Sequence, residues 1–181
     1  MVSLLFVTIV RKSIHFLGSC GSGYTKEGIM NLLIYLVFVP LCVFFGARWL
    51  DRRYDVHGSP WLLTIACVIF ATATFYPSPL IDGQNTQFMT HLLGGGVFVG
   101  LLWVYFMPLM RKLSWWYKAV ILYAAVSALG VLNELYELWA HENGIITVPI
   151  TDASWDLLAN TLGALIVFVI YYMMKRLFKQ R

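Results

Sequence analysis

Charged residues are scarce in this chain of 181 residues. They make up 12% of it, whereas hydrophobic residues make up 60% and the mean hydropathy is +0.73. A soluble domain carries about 25% charged residues, so these values exclude an ordinary water-soluble globule and intrinsic disorder. The net charge of +4 is carried by basic residues dispersed at segment ends. Nucleic acid is therefore not an expected partner, because its binding needs a basic face.

Several chemical signatures are also missing. The three cysteines show no Cys-x-x-Cys spacing, and their odd number gives no support to a disulfide framework. The chain has no phosphate-binding Gly-x-x-x-x-Gly-Lys loop, no Gly-x-Ser-x-Gly nucleophile elbow and no Asp-x-Asp motif. The triplet Gly94-Gly95-Gly96 lies inside an apolar stretch, where it indicates helix packing rather than a nucleotide loop.

Long apolar stretches dominate what remains. A membrane-spanning helix needs roughly 20 mostly apolar residues, and the runs here are continuous rather than alternating. The sequence therefore predicts an all-α fold, a polytopic transmembrane helix bundle of about five spans in a single domain, 30–181. Residues 1–29 are predicted to be a leader or an interfacial segment, because Arg11 and Lys12 interrupt their apolar start. The predicted spans are about 30–48, 61–77, 87–110, 117–140 and 155–174.

The basic residues predict an orientation. Lys and Arg occur in the first and third loops and in the C-terminal tail, whereas the loops 76–86 and 141–154 have none. Positively charged loops stay on the cytoplasmic side. We therefore expect a cytoplasmic C-terminus and place the second and fourth loops outside.

Acidic residues and histidines of the last three spans gather at the predicted outer end. Glu134, Glu137 and His141 share a face of the fourth span, because they are offset by three and seven residues. His91 opens the third span, and Asp156 and Asn160 open the fifth. The sequence thus predicts a pocket between spans three, four and five.

The depth of these carboxylates in the membrane predicts that another group compensates their negative charge. A lone carboxylate so far inside a membrane costs several kcal/mol, and the sequence places no Lys or Arg beside it. Three routes of compensation remain, which are a divalent metal, a proton shared between carboxylates, or a cationic ligand. Imidazole and carboxylate ligands suit zinc, manganese or iron. The candidate metal ligands are His91, Glu134, Glu137, His141 and Asp156.

A metal there could activate water for attack on a headgroup. The leading hypothesis is therefore a pocket that binds a divalent cation and an envelope lipid or lipid-linked glycan, with hydrolysis as the expected reaction. We expect catalytic roles for Glu134, Glu137 and Asp156, and substrate binding by Asn160, Asp152 and Gln84. Membrane lipids are the expected partners.

Two alternatives stay open at this point. One is a non-enzymatic membrane binding or scaffold protein whose polar cluster is structural, since polar side chains also join membrane helices. The other is a small transporter. It is less favoured, because the inner halves of spans three and five are apolar and offer no continuous polar path.

Two segments of the chain resemble a known family. They are 133–139 (NELYELW) and 152–164 (DASWDLLANTLGA), and His91 in Thr90-His91-Leu92 takes the place of a histidine that opens an earlier helix. Together they resemble the VanZ-like superfamily of small polytopic bacterial membrane proteins, over about residues 82–172. The resemblance implies a location in the bacterial cytoplasmic (inner) membrane and a link to the cell envelope, such as envelope stress or glycopeptide tolerance. It implies no particular reaction.

Overall fold

The structure, a computed structural model, describes residues 34–81, 84–144 and 153–179. The leader or interfacial segment predicted for residues 1–29 lies outside the described residues. The chain divides into two units after Ile34. All contacts described below lie within the second unit, Tyr35–Arg181.

Five helices build the described part of the second unit, which confirms the predicted all-α bundle. Their bounds, in chain order, are α1 (Val39–Tyr54), α2 (Pro60–Thr72), α3 (Phe88–Tyr105), α4 (Trp115–Glu142) and α5 (Ala153–Lys179). A π-helical turn, Ile34–Phe38, precedes α1, and a 3-10 turn, Ala73–Phe75, extends α2. A short antiparallel hairpin pairs β1 (Leu80–Ile81) with β2 (Gln84–Asn85) before α3 begins.

Three of these helices have the length and composition of membrane spans. Within the described residues, α3, α4 and α5 are each apolar enough and long enough to cross a bilayer, and α2 is apolar but shorter. The protein is therefore a membrane protein with transmembrane helices. The first predicted span, 30–48, begins outside the described residues, and its helix continues past Arg48 to Tyr54.

Prolines set several helix boundaries. Pro60 begins α2, where a proline is tolerated because the first amide groups of a helix have no partner within it. Pro40 lies where the π-helical turn Ile34–Phe38 gives way to α1. Further along, α3 ends at Tyr105, short of the predicted Met110, and a 3-10 turn, Met107–Met110, follows. Pro108 explains the break, because proline disfavours helix in the preceding residue and cannot donate a backbone hydrogen bond.

The third helix occupies the centre of the bundle, where it contacts α2, α4 and α5. Its buried residues Phe98, Val99 and Trp103 pack in one apolar cluster with Phe70 of α2 and Val126 of α4. Large apolar side chains also cover the outside, as shown by Trp61, which is 72% exposed. Such a surface fits a bilayer, because lipid tails replace water around it.

The backbones of α3 and α5 approach most closely at two glycines. A methyl group built on Gly96 would lie 2.7 Å from the Cα atom of Gly163. A methyl group on Gly163 would in turn lie 2.8 Å from the backbone nitrogen of Val97. Small residues permit such close contact between membrane helices. This contact fixes the first half of α5 against the start of α3.

One buried hydrogen bond joins α3 to the start of α4. The indole Nε1 of Trp103 donates to the backbone oxygen of Lys118 over 3.0 Å. We expect Trp103→Phe to lower the free energy of unfolding by about 1 kcal/mol, because this donor is lost while most of the ring packing remains. Thermal melting in detergent would measure the change, with Trp115→Phe, an exposed tryptophan of α4, as the control. Equal melting temperatures for the two variants would contradict the role of this bond.

Candidate metal centre

Three ionisable side chains from three different helices converge at one end of the bundle. They are His91 of α3, Glu134 of α4 and Asp156 of α5, and each offers one ligand atom within 4.8 Å of the other two. His91 Nε2 and Asp156 Oδ2 lie 3.4 Å apart. We call these three side chains the triad. Its members could together hold a metal ion.

The direction of the helices explains why these residues meet. His91 is the fourth residue of α3, and Asp156 is the fourth residue of α5. Glu134 lies about two turns before the end of α4. The antiparallel course of α4 therefore brings its last turns beside the first turns of α3 and α5. The triad thus lies between the third, fourth and fifth spans, where the sequence predicts a pocket.

The helix that carries His91 is wound unusually at this point. A π-helix runs over His91–Val97 and includes the triplet Gly94-Gly95-Gly96. π-Helical turns are rare and occur frequently at functional sites, because the extra residue in the turn redirects the side chains. The triplet was predicted to serve helix packing, and the close approach of Gly96 to Gly163 agrees with that prediction.

A second layer lies one helical turn deeper than the triad. Gly95, Gly130 and Asn160 are each four residues from a triad member on the same helix. The Asn160 amide fills the space that the two glycines leave: a methyl group on Gly95 would overlap its Oδ1, and one on Gly130 would lie 3.2 Å from its Nδ2. Asn160 is only 4% exposed, and its Oδ1 has no hydrogen-bond partner among the described residues.

Burial makes it costly to keep both carboxylates of the triad ionised. Asp156 is 1% exposed, and its side chain is among the largest fully buried ones in the described residues. Glu134 is half-buried. Two carboxylates this close and this shielded from water repel each other unless a proton or a cation compensates their charge. When Glu134 and Asp156 are both ionised and His91 is neutral, the triad has a formal charge of −2, which one divalent cation would neutralise.

The other predicted site residues are not members of the triad, or lie outside the described residues. Glu137 is half-buried and accepts a hydrogen bond from Asn133 Nδ2 over 2.7 Å, and the exposed His141 lies nearer the end of α4. The structure thus brings together three of the five predicted ligands. Gln84 lies in β2, and Asp152 is outside the described residues.

Comparison with known proteins adds no assignment. No protein-family model matches the chain, and neither a curated protein nor a solved structure matches it. The resemblance to the VanZ-like superfamily therefore stays a prediction.

Proposed function

We propose that this protein is a metal-dependent membrane protein whose triad binds one divalent cation. The observation that carries the proposal is the convergence of His91, Glu134 and Asp156 from three membrane helices, with ligand atoms within 4.8 Å of one another. A cation supplies the positive charge that a nearly buried Asp156 beside Glu134 requires. Asn160 supports the proposal, because it adds a buried oxygen acceptor one turn below the triad.

The spacing of the ligand atoms suits a transition metal after a small adjustment. Zinc binds nitrogen and carboxylate oxygen at about 2.0–2.2 Å, so ligand atoms in a tetrahedral site lie about 3.3–3.6 Å apart. The pair His91 Nε2 and Asp156 Oδ2 already has this separation, at 3.4 Å. All three ligand atoms lie within 4.8 Å of one another, so small side-chain rotations would bring the whole set to this spacing. Zinc, manganese and iron remain the candidate ions.

A set of three protein ligands is typical of catalytic rather than structural zinc sites. A metal held by His91, Glu134 and Asp156 would polarise a substrate oxygen and make water a better nucleophile near neutral pH. We propose that this protein hydrolyses a lipid or a lipid-linked envelope substrate that enters from the bilayer. Glu137, one turn beyond Glu134 on α4, is our candidate general base, and Asn160 is our candidate for orienting the substrate.

We also propose the orientation and location that the sequence predicts. The distribution of Lys and Arg would place the triad at the outer end of the bundle, with the C-terminus in the cytoplasm. The membrane would be the bacterial cytoplasmic membrane, as the VanZ-like resemblance implies. A substrate at the outer leaflet would then reach the triad without crossing the bilayer.

One observation favours a second candidate function. The contact between His91 and Asp156, and the hydrogen bond between Asn133 and Glu137, are also what a purely structural polar network would make. Such a network would join helices in a non-enzymatic scaffold or binding protein. Each such bond contributes only about 0.6–2 kcal/mol in a membrane.

Metal titration of the purified protein separates the two candidates. After treatment with a chelator, the wild type should bind about one zinc or manganese ion per chain, measured by calorimetry and by elemental analysis. Glu134→Gln, Asp156→Asn and His91→Ala should each weaken binding at least about tenfold, because ligands matter more than their outer neighbours. His141→Ala and Glu142→Gln are matched controls, since both residues are exposed on the same helix. Absence of binding, or equal loss in the controls, would contradict the proposal.

A further inference from the structure

A pocket lies at the end of the bundle opposite the triad. It has a volume of about 360 Å³ and lies where α3 has ended, where α4 begins and where α5 approaches its end. Three basic side chains line it, Arg111, Lys118 and Lys175, together with Tyr171. This volume falls within the range of small-molecule sites.

The basic side chains come from three different parts of the chain. Arg111 follows the 3-10 turn after α3, Lys118 belongs to the first turn of α4, and Lys175 belongs to the last turns of α5. Within the described residues, none of the three forms an ion pair with a carboxylate. Their charges therefore repel one another around the same space, and an anion placed there would relieve the repulsion.

The burial of Lys118 distinguishes this pocket from an ordinary basic surface. Lys118 is only 5% exposed and still lines the pocket. Its backbone is held in place, because its carbonyl oxygen accepts the hydrogen bond from Trp103. A lysine with so little access to water adds its positive charge to those of Arg111 and Lys175 along the same pocket. An anion bound in the pocket would therefore stabilise all three groups.

The remaining wall of the pocket is apolar. Val104, Met107 and Pro108 line it beside the basic residues. A soluble anion gains nothing from such a wall, whereas the glycerol and first methylene groups of a lipid pack against it. Basic pockets between membrane helices bind the headgroups of anionic lipids in this way.

We propose that this pocket binds the phosphate of an anionic phospholipid headgroup. Arg111, Lys118 and Lys175 hold the phosphate oxygens, and the apolar wall receives the start of the acyl chains. The site is separate from the triad and does not depend on metal binding there. By the distribution of Lys and Arg, the lipid would come from the cytoplasmic leaflet.

Native mass spectrometry of the full chain in detergent tests the proposal. Phosphatidylglycerol should bind on the order of 100-fold more tightly than phosphatidylcholine, because each basic residue contributes about a fivefold gain in affinity for an anionic lipid. Lys118→Met should weaken the binding of phosphatidylglycerol by about fivefold or more, because it removes one of the three basic residues. Lys112→Met is the matched control, because Lys112 is exposed, lies in the same region and does not line the pocket.

A second pair of variants keeps the test decisive if Lys118→Met fails to fold. Lys175→Gln should weaken phosphatidylglycerol binding, whereas Arg176→Gln, the exposed neighbour outside the pocket, should not. Equal binding of both lipids, or equal effects of the paired variants, would overturn the proposal. Displacement of the lipid by inorganic phosphate at a similar concentration would also overturn it, because the ligand would then be a soluble phosphate.

Discussion

Replacing Gly163 with alanine should destabilise the bundle by about 3 kcal/mol, the largest loss of stability that we expect from any single substitution proposed for this protein. A methyl group there would lie 2.8 Å from the Val97 nitrogen and 2.9 Å from the Gly96 Cα atom, and would overlap the Leu92 carbonyl oxygen. These are backbone atoms, which cannot rotate away as a side chain can. The α3–α5 contact would have to open, and the His91–Asp156 pair would separate with it.

The chain provides a matched control in Gly46 of α1. A methyl group on Gly46 meets nothing within 4 Å. Gly46→Ala should therefore leave stability unchanged or raise it by up to about 1 kcal/mol, because alanine favours a helix over glycine. Unfolding in detergent mixtures, followed by circular dichroism, would measure both variants. Similar curves for Gly163→Ala and Gly46→Ala would show that α3 and α5 do not touch as described.

Apolar composition predicted the long helices closely where the flanking residues are polar. The span predicted at 117–140 corresponds to the helix Trp115–Glu142, and the span predicted at 155–174 corresponds to the helix Ala153–Lys179. Both segments are long apolar runs without an internal proline. The third span was less predictable, because Pro108 ends it early and because a π-helix replaces regular winding at its start.

Helical periodicity predicted the three residues of the triad but could not select them from the larger set. His141 shares a face with Glu134, but seven residues separate them, which is about 10 Å along the axis and carries His141 beyond the site. Glu137 is turned about 60° from Glu134 around α4 and lies beside Asn133. Periodicity along α4 does not distinguish Glu134 from Glu137 and His141. Only the positions of α3 and α5 show that Glu134 belongs to the triad.

The layer of Gly95, Gly130 and Asn160 could not be derived from any one helix. It forms because a small residue on α3 and another on α4 face the same amide of α5. Such complementarity depends on the register of three helices against one another. A single sequence fixes the pattern along each helix and leaves that register open.

Metal-dependent stability is the second large effect that we expect. A ligand that binds only the folded state stabilises it by about 2.7 kcal/mol at a concentration one hundred times its dissociation constant. Zinc or manganese should therefore raise the melting temperature of the wild type, and a chelator should lower it again. The effect requires a folded triad, because its ligands come from three separate helices.

The same measurement on variants separates a metal site from a structural network. Asp156→Asn and Glu134→Gln should abolish the stabilisation by metal, while the metal-free proteins should melt no lower than the wild type, because each change removes one of two carboxylates that repel each other. Glu142→Gln, an exposed neighbour on α4, should keep the full response. A structural network predicts the opposite, which is lower stability in both triad variants whether or not metal is present. In that case His91, Glu134 and Asp156 would serve to join the helices, and the proposed chemistry would lose its basis.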